Sequence, residues 1–266
     1  MQKVFSPNAE ADSDFAAEKP TRFKCVCAYD GTDFRGWQSQ LSGDSVQDFF
    51  ERRLSAIFKK KIRIHGSGRT DAGVHAAAQV FHFDAVWRHD CKALLAALSS
   101  GYPDSLQVLK VSKVSADFHA RYCAKGKRYV YRMYEGRATP EIVRYRWSLG
   151  RRRPDVGAMN EAAAMLVGTR DFTAFSAARR HDSNENTVKT LRKLEFSRRG
   201  REIKMVTEGS GYLYKMVRMI VGALVDVGTG KLSKEDIARA LESKKRGTLF
   251  QAAPAKGLSL EKVFYK

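Results

Sequence analysis

His65-Gly66-Ser67-Gly68-Arg69-Thr70-Asp71-Ala72-Gly73-Val74-His75 sets one carboxylate two residues from one guanidinium, in a stretch broken by three glycines. Glycine has no side chain to hold a ligand away from the backbone, so the spacing marks a candidate site. Before it, Lys61-Ile62-Arg63-Ile64 alternates polar and apolar as a half-buried strand does, and after it Val80-Phe81-His82-Phe83 reads as a second strand. Asp71 is therefore expected on a loop between two strands. Such a loop has three readings. It can be a glycine-rich connection with an exposed Arg–Asp pair, worth only ~0–1 kcal/mol. It can be a dinucleotide fingerprint begun by Gly66 and Gly68. Against that, Asp71 stands where the third glycine belongs, and only a short Ala-rich segment precedes the next strand, where a phosphate-binding helix should run. The third reading is a catalytic carboxylate: a neighbouring guanidinium favours the charged form, which suits a nucleophile or base rather than a general acid.

Working outward, Phe23 to Asp30 reads as a strand followed by a loop through Gln38, and Ser45 is placed to cap a helix. Val46, Phe49, Phe50, Leu54, Ile57 and Phe58 recur at helical spacing, as a core-facing stripe would. Lys92 to Ser99 reads as a helix and Leu106 to Val114 as a strand. Pro154-Asp155 opens a helix whose buried face is Met159, Ala163, Leu166 and Val167, with Gly168 at its end. The polar run Arg179 to Thr187 has no apolar period and reads as a mobile loop, equally an RNA clamp or solvated surface. Met216, Met219, Ile220, Ala223, Leu224 and Val227 form a helical stripe closed by Gly228, and Arg218 lies off it. A cation near a helix start opposes the dipole there and needs an anion beside it. Ser233 caps a last helix with Ile237, Ala240 and Leu241 inward.

A chain of 266 residues with 43% hydrophobic content can bury a sizeable core. No apolar run approaches the ~20 residues that span a bilayer, so no membrane association is expected. The first 20 residues, acidic on balance, have neither the pattern of a signal peptide nor that of a mitochondrial presequence, and are expected to be a disordered tail. Cys25, Cys27, Cys91 and Cys123 lack zinc-site spacing, and no metal is expected. Alternation puts Cys25 and Cys27 on the core face of the first strand, as reduced thiols of a reducing compartment, the cytoplasm or else a nucleus or organelle. The net charge of +19 calls for a polyanionic partner. From Arg121 to Arg153 eleven basic residues face only Glu135 and Glu141, interleaved with Tyr122, Tyr129, Tyr131, Tyr134, Tyr145 and Trp147. Cations for phosphates and aromatic faces for unstacked bases suit single-stranded or looped RNA, and the segment alternates like strands rather than forming the one basic helix of a membrane binder.

Gly68-Arg69-Thr70-Asp71-Ala72-Gly73-Val74-His75-Ala76 resembles the catalytic loop of the TruA family of tRNA pseudouridine synthases. The resemblance extends through Asp30 to Gln38 with Ser45-Val46-Gln47, Asp117 to Tyr122, Lys127 to Arg132, Asp171 to Ser176, Gly211 to Gly222, and Ala253 to Tyr265. It covers Arg22 to the C-terminus. The chain departs from the family at Ser99 to Asp104, where an Asn-containing stretch is usual, and at Ala78, where a glycine is usual.

The resemblance implies an α/β (α+β) pseudouridine synthase fold: two lobes of antiparallel-rich mixed sheets, flanked by helices, around a basic cleft that holds Asp71. Residues 1–20 would then be the tail, 21–115 the lobe with the catalytic loop, and 116–266 the second lobe. It implies conversion of uridine to pseudouridine at tRNA positions 38, 39 and 40 of the anticodon arm, in a homodimer and without a cofactor. Asp71 would be the catalytic carboxylate, attacking the sugar C1′ or the uracil C6 or supporting elimination. Arg218 would be its ion-pair partner and Tyr129 the aromatic neighbour of the uracil, and Arg69 would fill the place of the flipped base. Arg35, Gly68, Arg121 and Arg128 are expected to contact RNA. The alternatives are a synthase acting on other uridines and an RNA-binding relative without catalysis.

Overall fold

Phe23, Cys25, Cys27 and Tyr29 alternate along Thr21–Tyr29 (β1), and all four are buried, with both cysteines free thiols. The computed structural model describes residues 19–177, 186–246 and 249–266. The tail up to residue 18 and most of the polar run Arg179 to Thr187 lie outside the described residues. Ser45 caps Val46–Phe58 (α1): its side chain accepts from Asp48 N, and the Asp48 carboxylate answers to the Ser45 backbone, a reciprocal cap that satisfies two otherwise orphaned donors.

The strand expected over Lys61 to Ile64 is absent, and pairing is confined to His65–Gly66 (β2) against His82 and Phe81. Side chains of α1 take the backbone donors a ladder would use: Ile64 N donates to Glu51 Oε1 at 3.1 Å and Ile62 N to Ser55 Oγ at 3.4 Å. The alternation still has a physical cause, because Ile62 and Ile64 are both buried. Beyond the site loop the chain continues through His75–Ala85 (β3), Cys91–Leu98 (α2) and Leu106–Val114 (β4) to Gly126–Tyr134 (β5).

The basic stretch expected to alternate like strands instead contains the helix Pro140–Tyr145 (α3) before the short strand Trp147–Ser148 (β6). None of α3's residues is buried, so no apolar period betrays it. Ion pairs from Arg144 to Asp30 and Asp33, and a hydrogen bond from the Tyr145 hydroxyl to Asp30, pin it to the loop after β1. The remaining elements are Val156–Leu166 (α4), Gly168–Asp171 (β7), Val188–Arg199 (β8), Glu202–Gly209 (β9), Met216–Gly228 (α5), Lys234–Ser243 (α6) and Leu258–Phe264 (β10).

The expected mixed α/β architecture is present, but the sheets of the two halves are one. The strands run β4-β1-β3-β10-β5-β9-β8-β7, with β2 on β3 and β6 on β5, and every main-path pairing is antiparallel except β3 with β10. The last strand of the chain is therefore the seam. It pairs with β3, which follows the Asp71 loop, and with β5, which carries Tyr129. In the second half α4 packs on β8, and α5 and α6 pack on α4. Among the described residues no helix is long and apolar enough to cross a membrane.

Candidate active site

Over the seam lies a pocket of about 410 Å³ walled by Asp71, Arg218, Tyr129, Tyr212, Lys127 and Arg121, among others. That volume suits a single small ligand rather than a duplex. Three parts of the chain, far apart in sequence, supply its polar groups, and Leu258 of the seam strand adds an apolar contact.

The Asp71 loop is held from behind. Trp37 N donates to Thr70 O at 3.1 Å, and the Tyr29 hydroxyl and Thr70 Oγ1 lie 2.9 Å apart. Gln79, fully buried within the loop's return strand, donates from Nε2 to Gly68 O at 3.0 Å and accepts from Ser67 Oγ at 2.6 Å. These are interactions of a positioned backbone, not of a loose connection. The glycines have a different use from the one expected. A Cβ on Gly66 would meet the Trp37 indole at 2.5 Å, and one on Gly68 would collide with Lys127 Nζ. Both admit neighbouring protein side chains, and the ligand's room comes from elsewhere.

The start of α5 supplies the partner of Asp71. Arg218 Nη1 donates to Asp71 Oδ2 at 2.9 Å, and its Nε donates to Ala253 O at 2.7 Å. The two side chains retain 15% and 20% exposure, enough for a ligand to reach the carboxylate and too little for bulk water to screen the pair fully. The cation that the helix dipole disfavours is thus compensated by Asp71, the one carboxylate that lines the pocket among the described residues.

Strand β5 places Tyr129 against the same space, its ring 5.1 Å from that of Tyr212 in an edge-on arrangement. Burial, with the nearby charge of Asp71 adding to it, pushes the Tyr129 phenol well above its ordinary value. The group stays protonated and acts as a donor and an apolar face, not as a phenolate base. Tyr212 has no assigned part in the sequence reading, although it sits in the stretch that carries Arg218.

Of the other candidates, Gly68 and Arg121 line the pocket, and Arg69 stands exposed on its rim with Nε donating to Gln38 Oε1 at 3.1 Å. Arg35 and Arg128 do not reach it. Arg35 pairs with Asp44 at 3.1 Å. Arg128 follows Lys127 and precedes Tyr129, so strand alternation turns it to the other face, where it pairs with Glu208 at 2.6 Å. The basic stretch is also less uniformly available than its composition implied: Arg132, Arg144 and Arg146 are paired with Glu261, Asp30 and Glu202. Among the described residues no group of three His, Cys, Asp or Glu is placed to hold a metal ion.

A paired, partly enclosed carboxylate, a neutral phenol beside it and the cations Lys127 and Arg121 thus line one pocket. A sequence model of the tRNA pseudouridine synthase family matches residues 26–123 and 162–266. The chain is 41% identical over 246 residues to "tRNA pseudouridine synthase A" of Geobacillus kaustophilus, covering 92% of this chain and 95% of the relative. It is 42% identical over 246 residues to the protein of the same name from Lysinibacillus sphaericus, covering 92% and 99%. A chain in the crystal structure of a Cbf5-Nop10-Gar1 complex aligns with 90% of this chain and 48% of its own at 12% identity and a TM-score of 0.36, too slight a likeness to argue from. The chain belongs to the TruA family of tRNA pseudouridine synthases. It is accordingly an isomerase.

Proposed function

We propose that this isomerase converts uridine to pseudouridine at positions 38, 39 and 40 of the tRNA anticodon arm, with Asp71 as the nucleophile. The observation that carries the reading is the Arg218–Asp71 ion pair inside a pocket lined by Tyr129. The reaction breaks the bond between uracil N1 and ribose C1′ and forms one between C5 and C1′. The C5 hydrogen leaves as a proton and N1 gains one, so no redox partner is required. Arg218 keeps the carboxylate charged and aimed after the uridine displaces water. Tyr129 offers its ring to the base and its phenolic proton to a developing anion. Arg69 on the rim takes the space of the extruded base, whose unstacking costs a few kcal/mol. The same reading takes the active form to be a homodimer working in a reducing compartment, consistent with the free thiols of Cys25 and Cys27.

The test is a tRNA tritiated at uracil C5. Wild-type protein releases tritium to water as the C5–C1′ bond forms, and Asp71→Asn releases none while binding the tRNA within a few-fold of wild type. Release by Asp71→Asn at a comparable rate contradicts the assignment.

A further inference from the structure

Lys127 and Tyr129 share one face of β5, and their Cα atoms are therefore about 6.6–6.8 Å apart along the strand. Both line the pocket. The Lys127 ammonium reaches the backbone of the Asp71 loop at Gly68, the position where any Cβ would collide with it. Arg121 lines the same wall.

Among the described residues no carboxylate pairs with Lys127 or Arg121, whereas Arg128 and Arg132 on the opposite face of the strand are each matched to a glutamate. Asp71, the one carboxylate that lines the pocket among the described residues, is engaged by Arg218. The wall is thus built with two like charges that repel each other. Burial, and then the charge of Arg121, push the Lys127 ammonium down to about 8. An ammonium desolvated without a partner is costly, and such a cost is sustained where a ligand brings the counter-charge.

Uracil and ribose are neutral, so the anion that a uridine within RNA brings is its phosphodiester. We infer that Lys127, with Arg121, forms the subsite for a phosphodiester attached to the target uridine, and so fixes the nucleotide while its base lies against Tyr129. The inference rests on the reading of this pocket as a uridine site. Lys127 acts here as a positioning residue: it holds the nucleotide's anionic end while the bonds to C1′ break and form at Asp71. The missing side chain at Gly68 serves the same end, since it leaves room for the ammonium beside the loop.

The experiment couples a change in the protein to a change in the RNA. tRNA is assembled by ligation with one neutral methylphosphonate either 5′ or 3′ of the target uridine, and is compared with the all-phosphate tRNA. All three RNAs are tested on wild type and on Lys127→Met, for affinity and for KM and kcat separately. At one of the two positions the methylphosphonate is expected to weaken wild-type binding about tenfold or more, the scale of a charge-assisted hydrogen bond. Lys127→Met should weaken binding of the all-phosphate tRNA by a similar factor and raise KM more than it lowers kcat. It should also be insensitive to that methylphosphonate. The slope of log affinity against log salt should fall by about 0.7, the release from one phosphate of a single strand. Equal, additive losses on charged and neutral RNA, or an unmoved salt slope, overturn the inference. Arg121 is exposed, so Arg121→Gln should fold and should show partial coupling to the same phosphate; the absence of any coupling there overturns the inference even where Lys127→Met fails to fold. Wild-type product from the all-phosphate tRNA separates the two levels. Without product the uridine reading itself fails, and with product but no coupling only the phosphate subsite does.

Discussion

Arg218 Nη1 and Asp71 Oδ2 lie 2.9 Å apart across 147 residues of sequence, and their contact joins the start of α5 to the loop before β3. The same guanidinium holds Ala253 O at 2.7 Å, so one side chain ties the carboxylate to the segment leading into the seam strand β10.

Removing that side chain leaves a partly enclosed carboxylate without its cation. Arg218→Ala is expected to lower kcat by about a hundredfold or more, the scale of losing a preorganised charge at a reacting centre. It should also destabilise the fold by about 1–3 kcal/mol through the unsatisfied Ala253 carbonyl. Arg218→Lys keeps the charge but not the fork that serves both partners, so it should recover only part of the turnover. Single-turnover rates and urea unfolding measure the two effects, and a wild-type rate in Arg218→Ala contradicts the pairing's role.

Gly66 and Gly68, two residues apart, should respond differently to the same substitution. Gly66→Ala drives a methyl group into the buried Trp37 indole and should cost about 1–3 kcal/mol of stability. Gly68→Ala meets only the far end of Lys127, a flexible neighbour that can swing aside. Its unfolding midpoint should stay near wild type while tRNA affinity falls. Thermal melts and filter binding on both variants check the contrast, and matching losses of stability would refute it.

Stability should weaken in mild acid through His82. Its ring is buried, and burial, followed by the charges of His119 and His65, pushes its imidazole down from 6.5 to about 4. Its Nδ1 accepts from Ala120 N at 3.2 Å, which a protonated nitrogen cannot do. The unfolded chain takes up this proton first, so the contribution is whole above pH 6.5 and is lost as pH falls toward 4. Urea midpoints at pH 7.5 and pH 5 should differ in wild type. The difference should shrink in His82→Gln; an equal difference in the variant assigns it to other groups.

Charge alone does not say which cations meet RNA. Arg128→Gln and Arg146→Gln remove side chains already matched to Glu208 and Glu202, and should leave the salt slope of tRNA binding near the wild-type value. A fall of about 0.7 or more from either places an RNA phosphate on that face of the sheet.

What the sequence discloses follows from how local each signal is. Ser45 with Asp48 and Ser233 with Asp236 announce α1 and α6, because a capping box is a short-range bargain between a side chain and the backbone next to it. Arg218 near a helix start advertises an unmet electrostatic need, and Asp71 as its answer came from the resemblance to the TruA family rather than from the helix itself. Lys61 to Ile64 misleads because alternation reports burial, while the backbone donors that make a strand are taken by Glu51 and Ser55 of α1. Helix α3 is invisible to periodicity because its anchors are polar and reach Asp30 and Asp33, over a hundred residues away. The single sheet depends on β10 inserting between β3 and β5, a non-local pairing that no window of sequence contains. Lys127 could have been found: the alternation that places Tyr129 in the pocket places Lys127 there and turns Arg128 away.

On the proposed reading, Asp71 makes this chain a catalyst on the tRNA anticodon arm. The most direct measurement is incubation of unmodified tRNA with wild type and with Asp71→Ala, followed by carbodiimide mapping of pseudouridine. Product at one or more of positions 38, 39 and 40 with wild type, and none with Asp71→Ala despite retained tRNA binding, is the predicted result. Product from both proteins, or binding without product from both, contradicts it.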